Sequence, residues 1–463
     1  MAERSHIRDF TKGNITKQLI TFAMPLFLSN LLQIVYNMVD MMVVGNVLGQ
    51  KGLSAVAIGG DVSNLLTFVA MGFSSAGQVI IAQYIGRGER DKIGRFVGTM
   101  SGFLCVSSLV LTAVGLLAQP LLLAWMNTPR EAYDGAVAYA SVSMSGMLFV
   151  YGYNAVSAIL RGMGDSKHPF LFISLAAVLN LLLDLLFVAS PLNMGTGGAA
   201  LATILSQAVS FSVCTAFLVR RRRAFALDVP RQVFWRWDSA MLVSLVKLGV
   251  PMAIKTASIQ VSKLFVNAWV NDYGVTVSAF AGIANKVASI ANLISMAMNS
   301  AGSTLVGQNI AAARYDRVKA ILVRIAVITL AVATVLSVLI VLFPQEIFAL
   351  FTDDADTDVL ALSAEFVPIA VLLFFGAACR AIMNALINGS GNYRINFATA
   401  IFDGVVMRIG LAVLFGFGCG MAYGGFWLGD ALAGFTPFVI GLVFYFTGAW
   451  KKPPKSAGKE RRS

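Results

Sequence analysis

Two carboxylates lie where an apolar chain has least use for them. Asp40 falls inside the first long apolar segment, roughly Leu19 to Val47, and Asp184 inside another near residues 168–190. A carboxylate in the middle of a membrane helix costs at least ~2.5 kcal/mol on insertion scales, so it pairs with something or performs a task. Placed on a helix, Gln33, Tyr36, Asn37 and Asp40 fall at i, i+3, i+4 and i+7 and form one polar stripe. Asn180 and Asp184, at i and i+4, share a helix face. Thr203 offers a hydroxyl on the following apolar segment, and Asn154 offers an amide at comparable depth on the preceding one. If the helices of Asp40 and Asp184 are neighbours, two carboxylates and the neutral oxygens of Asn180 and Thr203 suit a hard monovalent cation such as Na+. They suit a proton equally, because burial and like-charge repulsion disfavour two ionised carboxylates side by side. The plainer alternatives are a structural Asp40 hydrogen-bonded to a neighbouring helix, and Asn180 and Thr203 as helix-to-helix ties worth about 0.6 kcal/mol.

The elements that must position these residues are membrane helices. The 463-residue chain is 57% hydrophobic and only 13% charged, which excludes an ordinary soluble globular protein. Apolar runs of spanning length occur twelve times, at about 16–47, 52–85, 95–119, 133–160, 168–190, 197–219, 240–271, 276–308, 319–343, 359–387, 394–417 and 423–449. The net charge of +12 lies in short loops, the pattern of membrane topology and not of nucleic-acid binding. Arg87, Arg90, Lys92 and Arg95 follow the second span, Arg220 to Arg223 the sixth, and Arg314, Arg317 and Lys319 the eighth. The alternate loops carry little beyond Lys51 and Arg130, and one is acidic (Asp353, Asp354, Asp356, Asp358). The positive-inside rule then places both termini in the cytoplasm. Cys105, Cys214, Cys379 and Cys419 have no CxxC spacing and read as small packing residues. The first span reads as an uncleaved membrane signal. No phosphate loop of the GxxxxGK[ST] type is present, so no ATP-driven step is expected from this chain.

The chain repeats itself. Ser75, Ala76, Gly77 and then Gln83 return 225 positions later as Ser300, Ala301, Gly302 and Gln308. Pro25 returns as Pro251, and the corner Arg161, Gly162, Gly164, Asp165 as Asn388, Gly389, Gly391, Asn392. Six spans per half give both halves the same orientation, a parallel repeat facing a central cavity. The expected fold is therefore an all-α polytopic membrane protein of twelve transmembrane helices in two six-helix lobes. The expected divisions are a cytoplasmic lead (1–17), an N-lobe (18–219), a linker at the cytoplasmic interface (220–239), a C-lobe (240–450) and a basic tail (451–463). The linker carries Arg221, Arg222, Arg223, Phe225, Val229, Phe234, Trp235 and Trp237, a mixture that anchors at headgroups.

Pro25, the Gln83 to Lys92 loop with its echo, the Arg161 to Asp165 corner and the Asn180, Asp184, Thr203 set together resemble the multidrug and toxic compound extrusion (MATE) family, bacterial type. The resemblance covers about residues 15 to 450. It implies a cation or proton site on Asp40, Asn180, Asp184 and Thr203, with Tyr36 and Asn154 close by. It also implies that occupancy of that site is coupled to bending of the first helix at Pro25 and to substrate release. The second half departs from members that carry acids there: Lys255 and Lys263 stand in span 7, Lys286 in span 8 and Arg380 in span 10, with Asp403 and Asp430 as the main later acids. Lys255, Lys263 and Arg380 are candidate substrate contacts, and basic groups on a cavity wall favour an anionic or zwitterionic cargo; lysines that snorkel to the interface are the alternative.

The expected activity is secondary active export of an amphipathic organic small molecule by alternating access, driven by entry of H+ or Na+, with no other cofactor and no nucleic acid. A monomer in the bilayer of a prokaryotic inner membrane is expected. The substrate alternative is an anionic or lipid-linked metabolite, although a flippase should carry basic residues deep in both lobes. A membrane-embedded enzyme is disfavoured because His6 and His168 lie near the cytoplasmic edge, far from the acids. A passive channel is disfavoured because paired acids in one lobe suit coupling better than a pore-lining ring.

Overall fold

A computed structural model describes residues 7–126, 128–189, 192–225, 227, 237–349 and 357–451, with 357–360 in backbone only. Val229, Phe234 and Trp235 of the linker, His6, the acidic stretch 353–356 and the tail beyond 451 lie outside the described residues. The helices are α1 (Ile15–Arg87), α2 (Asp91–Trp125), α3 (Arg130–Ser145), α4 (Met147–Gly162), α5 (Lys167–Asp184), α6 (Gly195–Arg220), α7 (Ser239–Asn271), α8 (Val275–Ala311), α9 (Tyr315–Leu342), α10 (Pro344–Ala349), α11 (Thr357–Gly389), α12 (Tyr393–Ile401), α13 (Arg408–Val413), α14 (Ala422–Ala433) and α15 (Thr436–Phe446). The described residues contain no strand. Among the described residues ten helices, counting short consecutive pieces as one, are each long and apolar enough to cross a membrane, and the bent pair α3–α4 makes an eleventh span. The 73-residue α1 contains two spans, because it breaks at Gly49 (φ 64°). Twelve spans result, as the sequence reading expects.

Three details differ from that reading. The loop expected between the first two spans shrinks to a break at Gly49, whose left-handed backbone only glycine adopts without strain. The fourth span is not one straight helix: α3 and α4 meet at 49° across Gly146, where an added Cβ would fall 2.2 Å from Ile204 of α6. The fifth and eleventh spans carry π-helical turns at Leu185–Ala189, Phe402–Met407 and Leu414–Gly418, which hydropathy does not show.

The repeat is written into the backbone itself. Left-handed residues occur in pairs at Gly49 and Gly274, Gly88 and Ala313, Gly164 and Gly391, Asn193 and Gly420, and Gly195 and Ala422. Each pair is separated by 225 or 227 positions. The contacts repeat as well. A Cβ on Gly162 would lie 2.8 Å from the Gln78 carbonyl oxygen and 2.9 Å from Ile81; a Cβ on Gly389 would meet Ser303 and Val306 at the same two distances. Helices that lack a hydrophobic drive in lipid associate through such close approaches at small residues. Helix starts repeat too: Asp165 caps α5 through the Lys167 and His168 amides, and Asn392 caps α12 through those of Arg394 and Ile395.

The chain forms two compact units. Among the described residues, one contains 7–9 and Leu28–Ala253, and the other contains Phe10–Phe27 and 254–451. The packing division thus falls inside α1 and α7, whereas the sequence division falls in the linker. Hydrogen bonds explain the placement of the chain start: Gln308 Oε1 accepts from the Phe10 amide at 2.8 Å, and Arg317 donates to the Phe10 and Gly13 carbonyls at 3.1 Å each. Near the middle of α7, a Cβ on Gly72 would fall 2.4 Å from Ala253 backbone, so glycine permits that contact. The described part of the linker packs against the first unit, with Phe225 fully buried and Trp237 edge-on to Phe103. We call the units the N-lobe and the C-lobe below.

Candidate functional site

In the N-lobe the carboxyl groups of Asp40 and Asp184 meet at hydrogen-bonding range. Asp184 is 1% exposed and Asn180 3%, one turn apart on α5. With both acids ionised, no donor reaches Oδ1 of Asp40 or either oxygen of Asp184. Two buried acceptors face each other and lack what binds them together, so a proton or a cation fits the gap. Asn180 Nδ2 donates to Thr203 Oγ1 at 3.3 Å, and the Thr203 hydroxyl donates to the Ala199 carbonyl at 3.2 Å. That tie fixes α5 against α6 beside the pair.

The remaining first-half candidates divide. Tyr36 lies one turn from Asp40 and within its electrostatic reach. Asn37 is exposed and Gln33 half-buried, and among the described residues no hydrogen bond joins either to the acids. Residues 36 and 40 lie on one line of the helix and residues 33 and 37 on the next, so only half of the stripe converges. Asn154 spends its amide on the Val150 carbonyl of its own helix, at 2.8 Å. Pro25 is half-buried in the segment of α1 that packs with the C-lobe.

The sequence reading missed Tyr139 on α3, which stands within electrostatic reach of Asp40, Tyr36 and Asp184. Gly59 makes room for it: a Cβ there would sit 3.2 Å from the Tyr139 ring and 2.8 Å from the Ala136 carbonyl. The spacing of Gly135, Tyr139 and Ser143 at i, i+4 and i+8 was the available signal.

The C-lobe holds a second polar cluster of different chemistry. Arg408, 1% exposed, pairs with Asp403 at 3.3 Å and with Asp430. The π-helical turn Phe402–Met407 makes the first pair possible, since i and i+5 share a face there and not on an α-helix. Lys255 is buried and donates to Asn384 Oδ1 at 2.5 Å. Lys263 and Arg380 line a pocket of about 730 Å3, counting its open part, together with Arg408 and Asp430. Arg408 and Asn384 were not singled out by the sequence. Among the described residues no group of three or more His, Cys, Asp or Glu could hold a metal ion.

These features agree with what the chain is similar to. The MatE family model matches residues 25–186 and again 251–433, once per half. "Probable multidrug resistance protein YpnP" of Bacillus subtilis (strain 168) is 30% identical over 96% of this chain and 97% of its own length. "Probable multidrug resistance protein NorM" of Thermotoga maritima is 26% identical over 95% and 94%. Among solved structures, a MOP superfamily transporter from Pyrococcus furiosus, described as having a binding pocket of reverse polarity, superposes with a TM-score of 0.88 at 22% identity, over 97% of this chain and 99% of that one. An outward-facing multidrug resistance MATE transporter superposes with a TM-score of 0.87, also at 22% identity and with the same coverage. The chain belongs to the MatE family and is a multidrug and toxic compound extrusion-type membrane transporter, not an enzyme.

Proposed function

We propose that the protein is a secondary active exporter in which H+ or Na+ entering through the Asp40–Asp184 pair drives amphipathic organic molecules outward. The observation that carries this reading is the pair itself, a buried Asp184 facing a half-buried Asp40 with no donor on either oxygen of Asp184 or on the sealed Oδ1 of Asp40. An inward ion relieves their repulsion, and its departure restores it, so occupancy changes the stability of the N-lobe packing around α1, α5 and α6. Coupling requires only that ion and cargo favour different conformations. Each charge moving down 100 mV supplies about 2.3 kcal/mol, before any concentration gradient. Asn180 and Thr203 position α5 and lend oxygens, Tyr36 and Tyr139 border the pair, and Pro25 lets the start of α1 bend with occupancy. The relatives' names as multidrug resistance proteins support cargo of mixed chemistry. Both termini face the cytoplasm on the loop-charge argument, with lobe limits at 18–219 and 240–450.

The test is efflux from proteoliposomes under an imposed H+ or Na+ gradient, for wild type, Asp40→Asn and Asp184→Asn. Efflux that follows one gradient and is lost in both variants supports the reading and names the ion. Unchanged efflux in both variants would make Asp40 structural and move the search to Asp403 and Asp430.

A further inference from the structure

The C-lobe cluster has more cations than its acids can hold. Asp403 and Asp430 both pair with Arg408, which is the only partner within ion-pair distance of either acid among the described residues. Lys263 and Arg380 also border the pocket, and neither has a carboxylate within 4.0 Å among those residues. Arg380 Nε is buried with no hydrogen-bond partner. Its guanidinium reaches to within 3.0 Å of where a Cβ on Gly434 would stand, so glycine leaves it room at the pocket edge. Lys263 and Arg380 are half-buried and feel Asp403 and Asp430 only from beyond ion-pair distance, so a ligand that brings an anion into contact completes their pairing. The amides of Asn267 and Asn285 share the lining, and Phe366, Leu373 and Trp427 form an apolar wall. Charged groups beside an aromatic wall match the lining of a site for a small amphipathic ligand.

The repeat shows that this chemistry is particular to one lobe. By the register of the corner glycines, Arg380 occupies the position of Tyr153 and Asp430 that of Thr203, and by the register of the two prolines Lys263 occupies that of Asn37. Neutral side chains on one scaffold position are thus charged on the other.

We propose that the C-lobe pocket binds the anionic group of an amphipathic cargo, a carboxylate, sulfonate or phosphate held by Lys263 and Arg380 with its apolar body against Phe366, Leu373 and Trp427. This deepens the exporter reading, on which it rests for the view that the pocket's ligand is cargo, by assigning the cargo's charge. Arg408 is held in place by its two acids and lines the pocket, while Lys263 and Arg380 have no carboxylate within ion-pair distance among the described residues.

The experiment is equilibrium dialysis of the full chain in phosphatidylcholine nanodiscs against naphthalene-2-sulfonate, with 2-naphthyltrimethylammonium as the size-matched cation and no ion gradient. Wild type is expected to bind the sulfonate saturably and in preference to the ammonium. Lys263→Gln and Arg380→Gln are each expected to weaken sulfonate binding by about tenfold or more, the effect of losing one charge-assisted hydrogen bond. Thermal unfolding without ligand serves as the fold control. Relieving an uncompensated cation leaves the unfolding temperature unchanged or higher, whereas a structural role lowers it. Absence of saturable sulfonate binding, equal affinity in both variants, preference for the ammonium, or a lowered unfolding temperature in both variants overturns the proposal. Phosphatidylglycerol nanodiscs separate the sources of the anion: weaker sulfonate binding there supports a lipid-borne group, and unchanged binding supports a free one. Because no gradient is applied, failure of the Asp40–Asp184 coupling appears in gradient-driven efflux and leaves this result unaffected.

Discussion

The two lobes share a scaffold and differ in charge. Their left-handed glycines, their helix caps and the close packing at Gly162 and Gly389 coincide after a shift of 225 or 227 positions. Their membrane interiors do not. The N-lobe sets a buried acid, Asp184, against a half-buried one, Asp40, with no cation among their described neighbours. The C-lobe counterpart of Asp184 is Leu411 and that of Asp40 is Phe265 or Val266, and the lobe instead collects Lys255, Lys263, Arg380 and Arg408 around two acids. Backbone contacts and chemistry have therefore been specified separately. Glycines and caps define where helices can meet, and a few polar positions on those helices decide which ion or ligand the lobe attracts.

The sharpest way to break this comparison is to remove one charge from each cluster. Arg408→Met leaves Asp403 and Asp430 buried without their partner and should cost about 3–5 kcal/mol in thermal unfolding. Asp40→Asn removes a repelling charge, so the N-lobe variant should unfold no earlier than wild type. A large loss of stability in Asp40→Asn would mean that the N-lobe acids are structural.

Next in size is transport. Asp40→Asn and Asp184→Asn should each lower the substrate gradient that ion-driven efflux can sustain by about fiftyfold, since an uncoupled exporter loses the ~2.3 kcal/mol that each charge supplies at 100 mV. Radiotracer efflux with and without the gradient separates loss of drive from loss of binding.

The shared scaffold gives a third test. Gly162→Ala and Gly389→Ala push a methyl into the same contacts, so both should destabilise by about 1–3 kcal/mol and by similar amounts. A marked inequality in their unfolding temperatures would show that the repeat is geometric only and that the lobes carry load differently.

Much of this was legible in the sequence because it depends on local pattern. Hydropathy gave twelve spans, and the recurrence of Pro25, Gly162 and Gly164 gave the repeat. The facing of Asp40 and Asp184 was legible only on the condition that their helices are neighbours, because two acids in apolar helices have few ways to be tolerated. What stayed hidden depends on departures from α-helical spacing or on contacts distant in sequence. Arg408 and Asp403, five apart, lie on different faces of an α-helix and share one only through the π-helical turn. Tyr139 reaches the acids because Gly59 lets another helix approach, a fact no single segment contains. The break at Gly146 needs Ile204 of α6 to explain it.

The smallest expected effect concerns the two corners. Burial works against a charged Asp165, but the His168 side chain at 2.5 Å, the His168 amide and the charge of Arg8 outweigh it and hold the carboxyl below its ordinary range. That contribution is present above the unfolded value, about 3.9, and is lost as the pH falls through the lower folded value. Asn392 caps the matching corner without a titrating group. Asp165→Asn should therefore cost about 1 kcal/mol near neutral pH and remove acid sensitivity at that corner, read as unfolding temperature against pH.

The most direct test of the central claim counts ions. Proteoliposomes loaded with substrate and with a pH-sensitive or Na+-sensitive dye report how many ions enter for each substrate molecule that leaves. Coupling at the acid pair predicts a fixed ratio in wild type that falls to zero in Asp40→Asn, while the Lys263→Gln, Arg380→Gln double variant keeps the ratio for whatever cargo it still moves. An unchanged ratio in Asp40→Asn would contradict the account, because the driving ion would then be crossing without the N-lobe pair.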